Sequence, residues 1–127
     1  MGRVLVVEDD DDNRGFLQEL LLLDTHEVHT ACNGLEALTW LRTQRTLPHC
    51  IVLDLDMPIM RGEEFFRRLR DDPRFAEIRV IILSGEPHRL TDNFPPTVAR
   101  LEKPTSPEML TDVVARCTEA SHRTMTG

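Results

Sequence analysis

The chain has 127 residues, the size of a single domain that can bury its own hydrophobic core without a disulfide or structural metal. Its 22 acidic residues outnumber its 15 basic residues, and the resulting net charge of −7 argues against a general surface for nucleic acid or anionic membranes. No apolar run exceeds four residues, so we expect neither a membrane span nor a secretory signal.

The three cysteines, Cys32, Cys50 and Cys117, are an odd number without the spacing of metal ligands. This usage is typical of the reducing cytosol, where disulfides are rare. We therefore expect a cytoplasmic domain over residues 1–120, in which the cysteines are small buried apolar residues. We expect residues 121–127 to form a frayed tail.

Short apolar segments alternate with segments of helical periodicity along the chain. Runs of β-branched and apolar residues that are too short for a helix predict buried strands. The predicted strands are Arg3–Val7, Val28–Cys32, Cys50–Leu53, Ile78–Leu83 and Val98–Leu101.

Apolar residues three or four positions apart predict helices between these strands. Three prolines, Pro87, Pro95 and Pro96, leave room for only a short fourth helix. The predicted helices are a segment capped by Asp11 or Asp12 that carries Phe16, Leu17, Leu20, Leu21 and Leu23; a segment that carries Leu35, Leu38 and Leu41 and ends near Arg45; Glu63–Arg70; a short segment at His88–Asn93; and a segment from Ser106 to Cys117.

Chemically active side chains follow four of the five predicted strands. Glu8 and Asp9 follow the first strand, Asp54 the third, Ser84 the fourth and Lys103 the fifth. Five alternating βα units predict a parallel sheet with helices on both faces, and ligands bind such sheets at the carboxyl ends of the strands. Each residue alone is typical of a solvated loop, but together they predict one site.

Three carboxylates in one crevice raise one another's pKa unless a cation neutralises them. Oxygen ligands without histidine or cysteine favour Mg²⁺ over zinc. With Ser84 as a hydroxyl donor and Lys103, the only lysine beside 14 arginines, the site would surround a phosphoryl group. Asp54 is the candidate nucleophile, because it is the single carboxylate at the end of a buried strand.

Several segments resemble the receiver domain of two-component response regulators, including those like the chemotaxis regulators. The resemblance rests on V-L-V-V-E-D-D, V-H-T-A-C-N-G-L-E-A-L, I-V-L-D-L-D-M-P with Gly62, I-I-L-S-G and L-E-K-P, and it covers about residues 3 to 118. It implies a flavodoxin-like five-stranded sheet in the order 2-1-3-4-5. It also implies a signalling domain, not an enzyme, and a cis bond between Lys103 and Pro104.

The resemblance also implies the roles of the site residues. Asp54 accepts a phosphoryl group from a sensor histidine kinase or a histidine phosphotransfer protein. Asp9, Asp54 and the backbone carbonyl of Asp56 ligate Mg²⁺, and Glu8 acts mainly through water. Lys103 pairs with the phosphoryl oxygens, and Ser84 moves toward them as the switch.

Two features depart from the family pattern. Most receivers carry Tyr or Phe three positions before the lysine, where this chain has Arg100, and the stretch from Ser84 to Lys103 is short and rich in proline. We therefore hypothesise that output uses another surface or a non-aromatic coupling. Amide shift changes on phosphorylation that concentrate on the fourth helix and fifth strand would contradict this hypothesis.

Two acidic residues beside the site are candidates for setting the lifetime of the aspartyl phosphate. Asp56 lies two positions after Asp54, and Glu86 lies two positions after Ser84, where the family varies its hydrolysis rate. Both are equally consistent with solvated loop residues. Neutral replacement of either is expected to change the half-life of the aspartyl phosphate.

Two other functions remain open from the sequence. A non-phosphorylated pseudo-receiver would keep the fold as a binding module, and Arg100 favours this alternative. Asp54-Leu55-Asp56 also resembles the D-x-D of haloacid-dehalogenase-type phosphohydrolases, although there the metal-binding acids come last in the chain. We expect no direct contact with nucleic acid or membrane, and we leave the downstream protein target and a phosphorylation-dependent dimer open.

Overall fold

The computed structural model describes residues 2–86, 89, 94–95 and 98–126, with side chains described as far as residue 119. Strands and helices alternate over most of this range. In chain order they are β1 (Arg3–Val7), α1 (Asp11–Leu23), β2 (Glu27–Ala31), α2 (Gly34–Thr43), β3 (Cys50–Asp54), α3 (Gly62–Asp71), β4 (Arg79–Ser84), β5 (Ala99–Glu102) and α4 (Pro107–Thr126).

The five strands form one sheet in the order β2-β1-β3-β4-β5, and every neighbouring pair is parallel. This topology confirms the predicted flavodoxin-like fold. β3 lies at the centre of the sheet, and all five of its residues are buried. Because helices cover both faces there, its sequence is apolar up to its last residue, Asp54, and does not alternate.

Helices pack on both faces of the sheet, as predicted. On one face α2 and α3 pack through residues such as Leu38 and Phe65. On the other face α1 and α4 pack through residues such as Leu21 and Val114. Helices therefore cover both faces of the sheet, and the carboxyl edge of the sheet is left uncovered for polar side chains.

The cap of α1 differs from the prediction. Asp10, and not Asp11 or Asp12, is the N-cap: its backbone is extended and its side chain accepts a hydrogen bond from the Asp12 amide at 3.0 Å. Asp11 and Asp12 lie in the first turn, where negative charge favours the helix dipole. The helix thus begins only three residues after Glu8.

Cys32 lies outside β2, one residue beyond the end of the strand. Its amide donates to a side-chain oxygen of Glu36 at 3.1 Å, which turns the chain into α2. Cys32 and Cys117 are only partly buried, so the expectation of burial is right for Cys50 and wrong for these two.

Some of the predicted apolar helix positions face solvent. Phe16 and Leu35 are about half exposed, and Leu23 is 83% exposed. The buried face of α2 includes Ala37, Leu38 and Leu41, so the predicted face is right at Leu38 and Leu41 and wrong at Leu35. Leucine spacing alone therefore did not define the buried face.

Two of the predictions near the end of the chain need comment. The short helix predicted at His88–Asn93 lies outside the described residues except for Arg89. The last helix, predicted from Ser106 to Cys117, continues as α4 to Thr126, and fraying of residues 121–127 stays a prediction. Within the described part of the chain, no helix is long and apolar enough to cross a membrane.

We predict that the unfolding free energy depends on pH through His26, which is 5% exposed. Burial lowers its pKa, although nearby Asp24 opposes this effect, and its Nδ1 accepts a hydrogen bond from the Gly2 amide at 3.0 Å. The unfolded chain therefore gains a proton near pH 6.5 that the folded chain does not bind, so stability falls below that pH, by at most about 1.4 kcal/mol per pH unit.

The His26→Gln variant isolates this effect because glutamine does not titrate. Urea unfolding of both proteins between pH 7.5 and 5.5 should show the wild type losing its advantage as the pH falls. A constant difference between the two proteins would contradict the prediction.

Candidate functional site

The structure brings most of the predicted site residues to the carboxyl edge of the sheet. Glu8 and Asp9 follow β1, Asp54 ends β3, Ser84 ends β4 and Lys103 follows β5. Pairing of β4 with β3 and β5 fixes their relative heights, since parallel register places Asp54 opposite Leu83 and Ser84 opposite Glu102. The strand ends thus bring these residues to one edge of the sheet, as the sequence predicted, and their role as a site stays a prediction.

Three carboxylates form a cluster in this edge. One oxygen each from Glu8, Asp9 and Asp54 lies within 4.8 Å of the others. Glu8 and Asp54 are each only 2% exposed. Such a set of oxygen atoms suits a hard divalent cation, because burying the ionised carboxylates of Glu8 and Asp54 is costly unless a positive charge lies beside them.

Glu8 is the member of this cluster that most needs a further partner. Its Oε2 atom is buried and has no hydrogen-bond partner among the described residues. Burial, and then the neighbouring Asp54 carboxylate, raise the pKa of Glu8 to about 8. A bound cation would favour the ionised form of Glu8, so the orphaned oxygen and the carboxylate cluster both fit Mg²⁺.

Asp54 is held by opposite charge and by its own loop. Its Oδ1 accepts hydrogen bonds from Lys103 Nζ at 2.7 Å and from the Asp56 amide at 3.0 Å. Burial opposes ionisation of Asp54, but contacts with Glu8, Lys103 and the Asp56 amide outweigh it and lower the pKa. Burial also acts against the charged form of Lys103, and the facing carboxylates, first Asp54, raise its pKa.

The backbone of β5 aims Lys103 at Asp54. The Lys103 amide donates to the Ser84 carbonyl at 2.9 Å, which continues the pairing of β5 with β4 beyond the last strand residue. The bond between Lys103 and Pro104 is cis, which confirms the expectation. The ammonium group can therefore neutralise an anion bound beside Asp54.

Ser84 is fully buried at the end of β4, beside the site. Its Oγ accepts a hydrogen bond from the Glu86 amide at 3.0 Å and makes a longer contact of 3.5 Å with the Glu86 carbonyl. The hydroxyl is therefore turned into its own loop. To contact a group bound to Asp54 it has to leave these partners, while the Glu86 side chain is exposed.

The position of Arg100 differs from that of the other site candidates. Its guanidinium donates to the carbonyls of Val98, Phe94 and Pro95 at 2.6 to 2.8 Å. Arg100 therefore holds the chain segment immediately before β5 in place. Most receivers carry the mobile aromatic residue at the position of Arg100.

Arg89 lies beside the site although no pattern in the sequence indicated it. This arginine is 6% exposed and pairs with Asp56 and with Glu63 of α3. Nothing distinguishes Arg89 in the sequence from the other 13 arginines. Its presence beside Asp56 follows only from the path of the chain after β4.

Comparison with known proteins agrees with this geometry. The profile of the response regulator receiver domain family matches residues 4–115. The chain is 39% identical over 84 residues to the response regulator PleD of Caulobacter vibrioides, and 35% identical over 85 residues to the sensor histidine kinase TmoS of Ectopseudomonas mendocina. These matches cover 66% and 67% of the chain, but the chain spans only 18% of PleD and 8% of TmoS.

Solved structures show the same fold. The chemotaxis response regulator CheY4 of Vibrio cholerae superposes with a TM-score of 0.82 at 29% identity, over 92% of this chain and 98% of that one. The receiver domain of a histidine kinase from Syntrophus aciditrophicus superposes with a TM-score of 0.83 at 27% identity, over 94% and 92% of the two chains. The sheet order, the acidic edge and the family match lead to one assignment: the chain belongs to the response regulator receiver domains of two-component signalling.

Proposed function

We propose that this receiver domain takes a phosphoryl group onto Asp54 from a sensor histidine kinase or a histidine phosphotransfer protein. The observation that carries the proposal is the position of the buried Asp54 carboxylate, with Lys103 Nζ 2.7 Å from its Oδ1 and with Glu8 and Asp9 beside it. A nucleophile, a fixed cation and a cluster of metal-type ligands are the parts that phosphoryl transfer requires.

In the proposed transfer, a carboxylate oxygen of Asp54 forms a bond to phosphorus while the bond from phosphorus to the donor's histidine nitrogen breaks. Lys103 neutralises charge on the phosphoryl oxygens. The low pKa of Asp54 keeps it ionised and therefore nucleophilic. Bound Mg²⁺ would supply further neutralisation of the phosphoryl charge.

Glu8, Asp9, Asp54 and the backbone carbonyl of Asp56 are the proposed residues for holding Mg²⁺. The unpartnered Glu8 Oε2 supports this set, because a buried carboxylate oxygen without a donor is costly. The hydrogen bond from the Asp56 amide to Asp54 keeps that part of the backbone beside the cluster.

Ser84 is the proposed switch. Its hydroxyl lies at the end of β4, and on phosphorylation it would exchange its contacts with the Glu86 backbone for a phosphoryl oxygen. Arg100 is anchored to three carbonyls and cannot enter the site without losing those bonds. Output therefore depends on a coupling other than rotation of an aromatic residue, and Asp56 and Glu86 set the lifetime of the phosphorylated state.

The domain is proposed to act in the cytoplasm, where it meets the cytoplasmic phosphodonor. The family is a signalling domain and not an enzyme in the usual sense. Its own chemistry is limited to self-phosphorylation from small phosphodonors and to hydrolysis of the resulting aspartyl phosphate. The downstream protein partner is set by surfaces outside the site.

Intact-mass spectrometry tests the proposal. Protein incubated with Mg²⁺ and acetyl phosphate should gain one phosphoryl group that is labile in base, and the adduct should be absent from Asp54→Asn and from samples with EDTA. An adduct that survives in the variant would place the acceptor elsewhere. Absence of the adduct in the wild type, without release of phosphate, would favour the pseudo-receiver.

The phosphohydrolase alternative makes the opposite prediction. It requires Asp56 as a mobile general acid, and many turnovers of free phosphate without a lasting adduct. In the structure the Asp56 carboxylate is paired with Arg89 and also contacts the Gly85 amide at 3.4 Å. The pairing with Arg89 holds the Asp56 carboxylate in place, which argues against a mobile general acid and supports the receiver function instead.

A further inference from the structure

Arg89 contacts the acceptor loop, the segment of residues 55–61 that joins β3 to α3. It donates to the Leu55 carbonyl at 2.9 Å, to Glu63 Oε2 at 2.7 Å and to Asp56 Oδ1. It thereby joins the connection after β4 to both the loop that follows Asp54 and the first turn of α3.

These contacts decide where the Asp56 carboxylate points. One oxygen of Asp56 pairs with Arg89, while the other lies 3.7 Å from Lys103 Nζ and 3.4 Å from the Gly85 amide. Asp56 therefore lies at the margin of the acidic cluster, with part of its charge neutralised. Without Arg89, the carboxylate would be a fourth negative charge beside the metal ligands.

An arginine suits this position better than a lysine. The guanidinium offers several N–H donors in one plane, and Arg89 uses three nitrogens on two carboxylates and a carbonyl. A lysine ammonium is a single point that cannot reach Asp56, Glu63 and the Leu55 carbonyl with the same geometry. The pairing with Glu63 fixes the orientation of the Arg89 guanidinium plane. The guanidinium in this orientation fixes the position of the Asp56 carboxylate.

We propose that Arg89 is a positioning residue that holds the Asp56 carboxylate away from the metal and the phosphoryl group, and so sets the metal affinity of the site. The inference rests on the proposed function, because it concerns the same acidic cluster. It assigns to the connection between β4 and β5 a direct contact with the acceptor loop that does not use an aromatic residue.

The test is a double-mutant cycle between Arg89 and Asp56, with Mg²⁺ affinity measured by isothermal titration calorimetry. Arg89→Gln removes the charge but keeps a polar side chain, and it should tighten Mg²⁺ binding about three- to tenfold, because the Asp56 charge is no longer neutralised. In an Asp56→Asn background the same change should have less than about twofold effect. Arg67→Gln, at an exposed pair with Asp71 on α3, is the matched control and should change nothing.

Arg89→Lys separates charge from geometry. It keeps the positive charge, so it should show an intermediate Mg²⁺ affinity, and it provides a folded variant if glutamine destabilises the domain. Thermal unfolding of each variant reports any general loss of structure, which by itself would not tighten metal binding.

Two results would overturn the inference. Unchanged Mg²⁺ affinity in both Arg89 variants would show that Arg89 does not control the site. A tightening that persists in the Asp56→Asn background would show that Arg89 acts through its own charge and not through Asp56. If the proteins of the cycle show the expected Mg²⁺ affinities but the wild type takes up no phosphoryl group, only the proposed function is overturned.

Discussion

Replacing Lys103 with methionine is expected to slow phosphoryl uptake by Asp54 by about a hundredfold or more. Lys103 Nζ is the fixed cation nearest to the acceptor, 2.7 Å from Asp54 Oδ1. Removing one preorganised charge donor from a site of this kind costs about 10² to 10³ in rate. The change also leaves Asp54 buried without its cation, so its pKa should rise and a smaller fraction should be nucleophilic.

The measurement is the initial rate of adduct formation from acetyl phosphate at saturating Mg²⁺, followed by quenched intact-mass spectrometry. Lys103→Arg is the matched control because it keeps the charge but replaces a compact ammonium with a planar fork. We expect it to recover only part of the rate. Full activity in Lys103→Met would contradict the role of Lys103 in transfer.

Replacing Gly62 with alanine is expected to destabilise the fold by about 1 to 3 kcal/mol. A Cβ at Gly62 would lie 2.7 Å from the Leu55 Cα atom, 2.6 Å from its Cδ2 and 3.2 Å from the Asp54 carbonyl. The backbone atoms of Asp54 and Leu55 cannot move aside without shifting the end of β3. The variant should therefore also slow phosphorylation, because α3 begins against the residue that follows Asp54.

Gly15 provides the matched control for this substitution. It lies inside α1, and a Cβ added there meets no atom within 4 Å. Gly15→Ala should therefore stabilise the protein, by about 0.5 to 1 kcal/mol, because alanine restricts the unfolded chain and favours the helix. Urea unfolding of both variants checks the opposite signs; a neutral Gly62→Ala would show that α3 can retreat from Leu55.

The strand ends are the part of the structure that the sequence predicted best. Apolar runs predicted the strands to within one or two residues, and polar residues after four of the five runs were predicted to lie close together. They do so because parallel strands bring their carboxyl ends to one edge, so Glu8, Asp54 and Lys103 meet although up to 95 positions separate Glu8 from Lys103. The cis bond at Lys103 and the sheet order came with the family resemblance and not from periodicity.

The predicted helix boundaries and buried faces were less accurate, because small energy differences between neighbouring residues decide them. Asp10 captures the amide of Asp12 and starts α1 one residue early, although three neighbouring aspartates are equally good caps in sequence. Leu35 has the spacing of a core residue, but the face of α2 is set by its packing on the sheet, which turns Ala37 inward instead. Propensity cannot distinguish such near-equal alternatives.

The sequence by itself determined the alternation of strands and helices, and it indicated which residues collect at the carboxyl edge of the sheet: Glu8, Asp9, Asp54, Ser84 and Lys103. Only the tertiary structure decided how their charges balance. The perturbed pKa of Glu8 depends on its burial beside Asp54, and the pairing of Arg89 with Asp56 depends on where the chain passes after β4. Both are effects of distance and solvent exclusion between groups far apart in sequence, and neither is encoded in any local pattern.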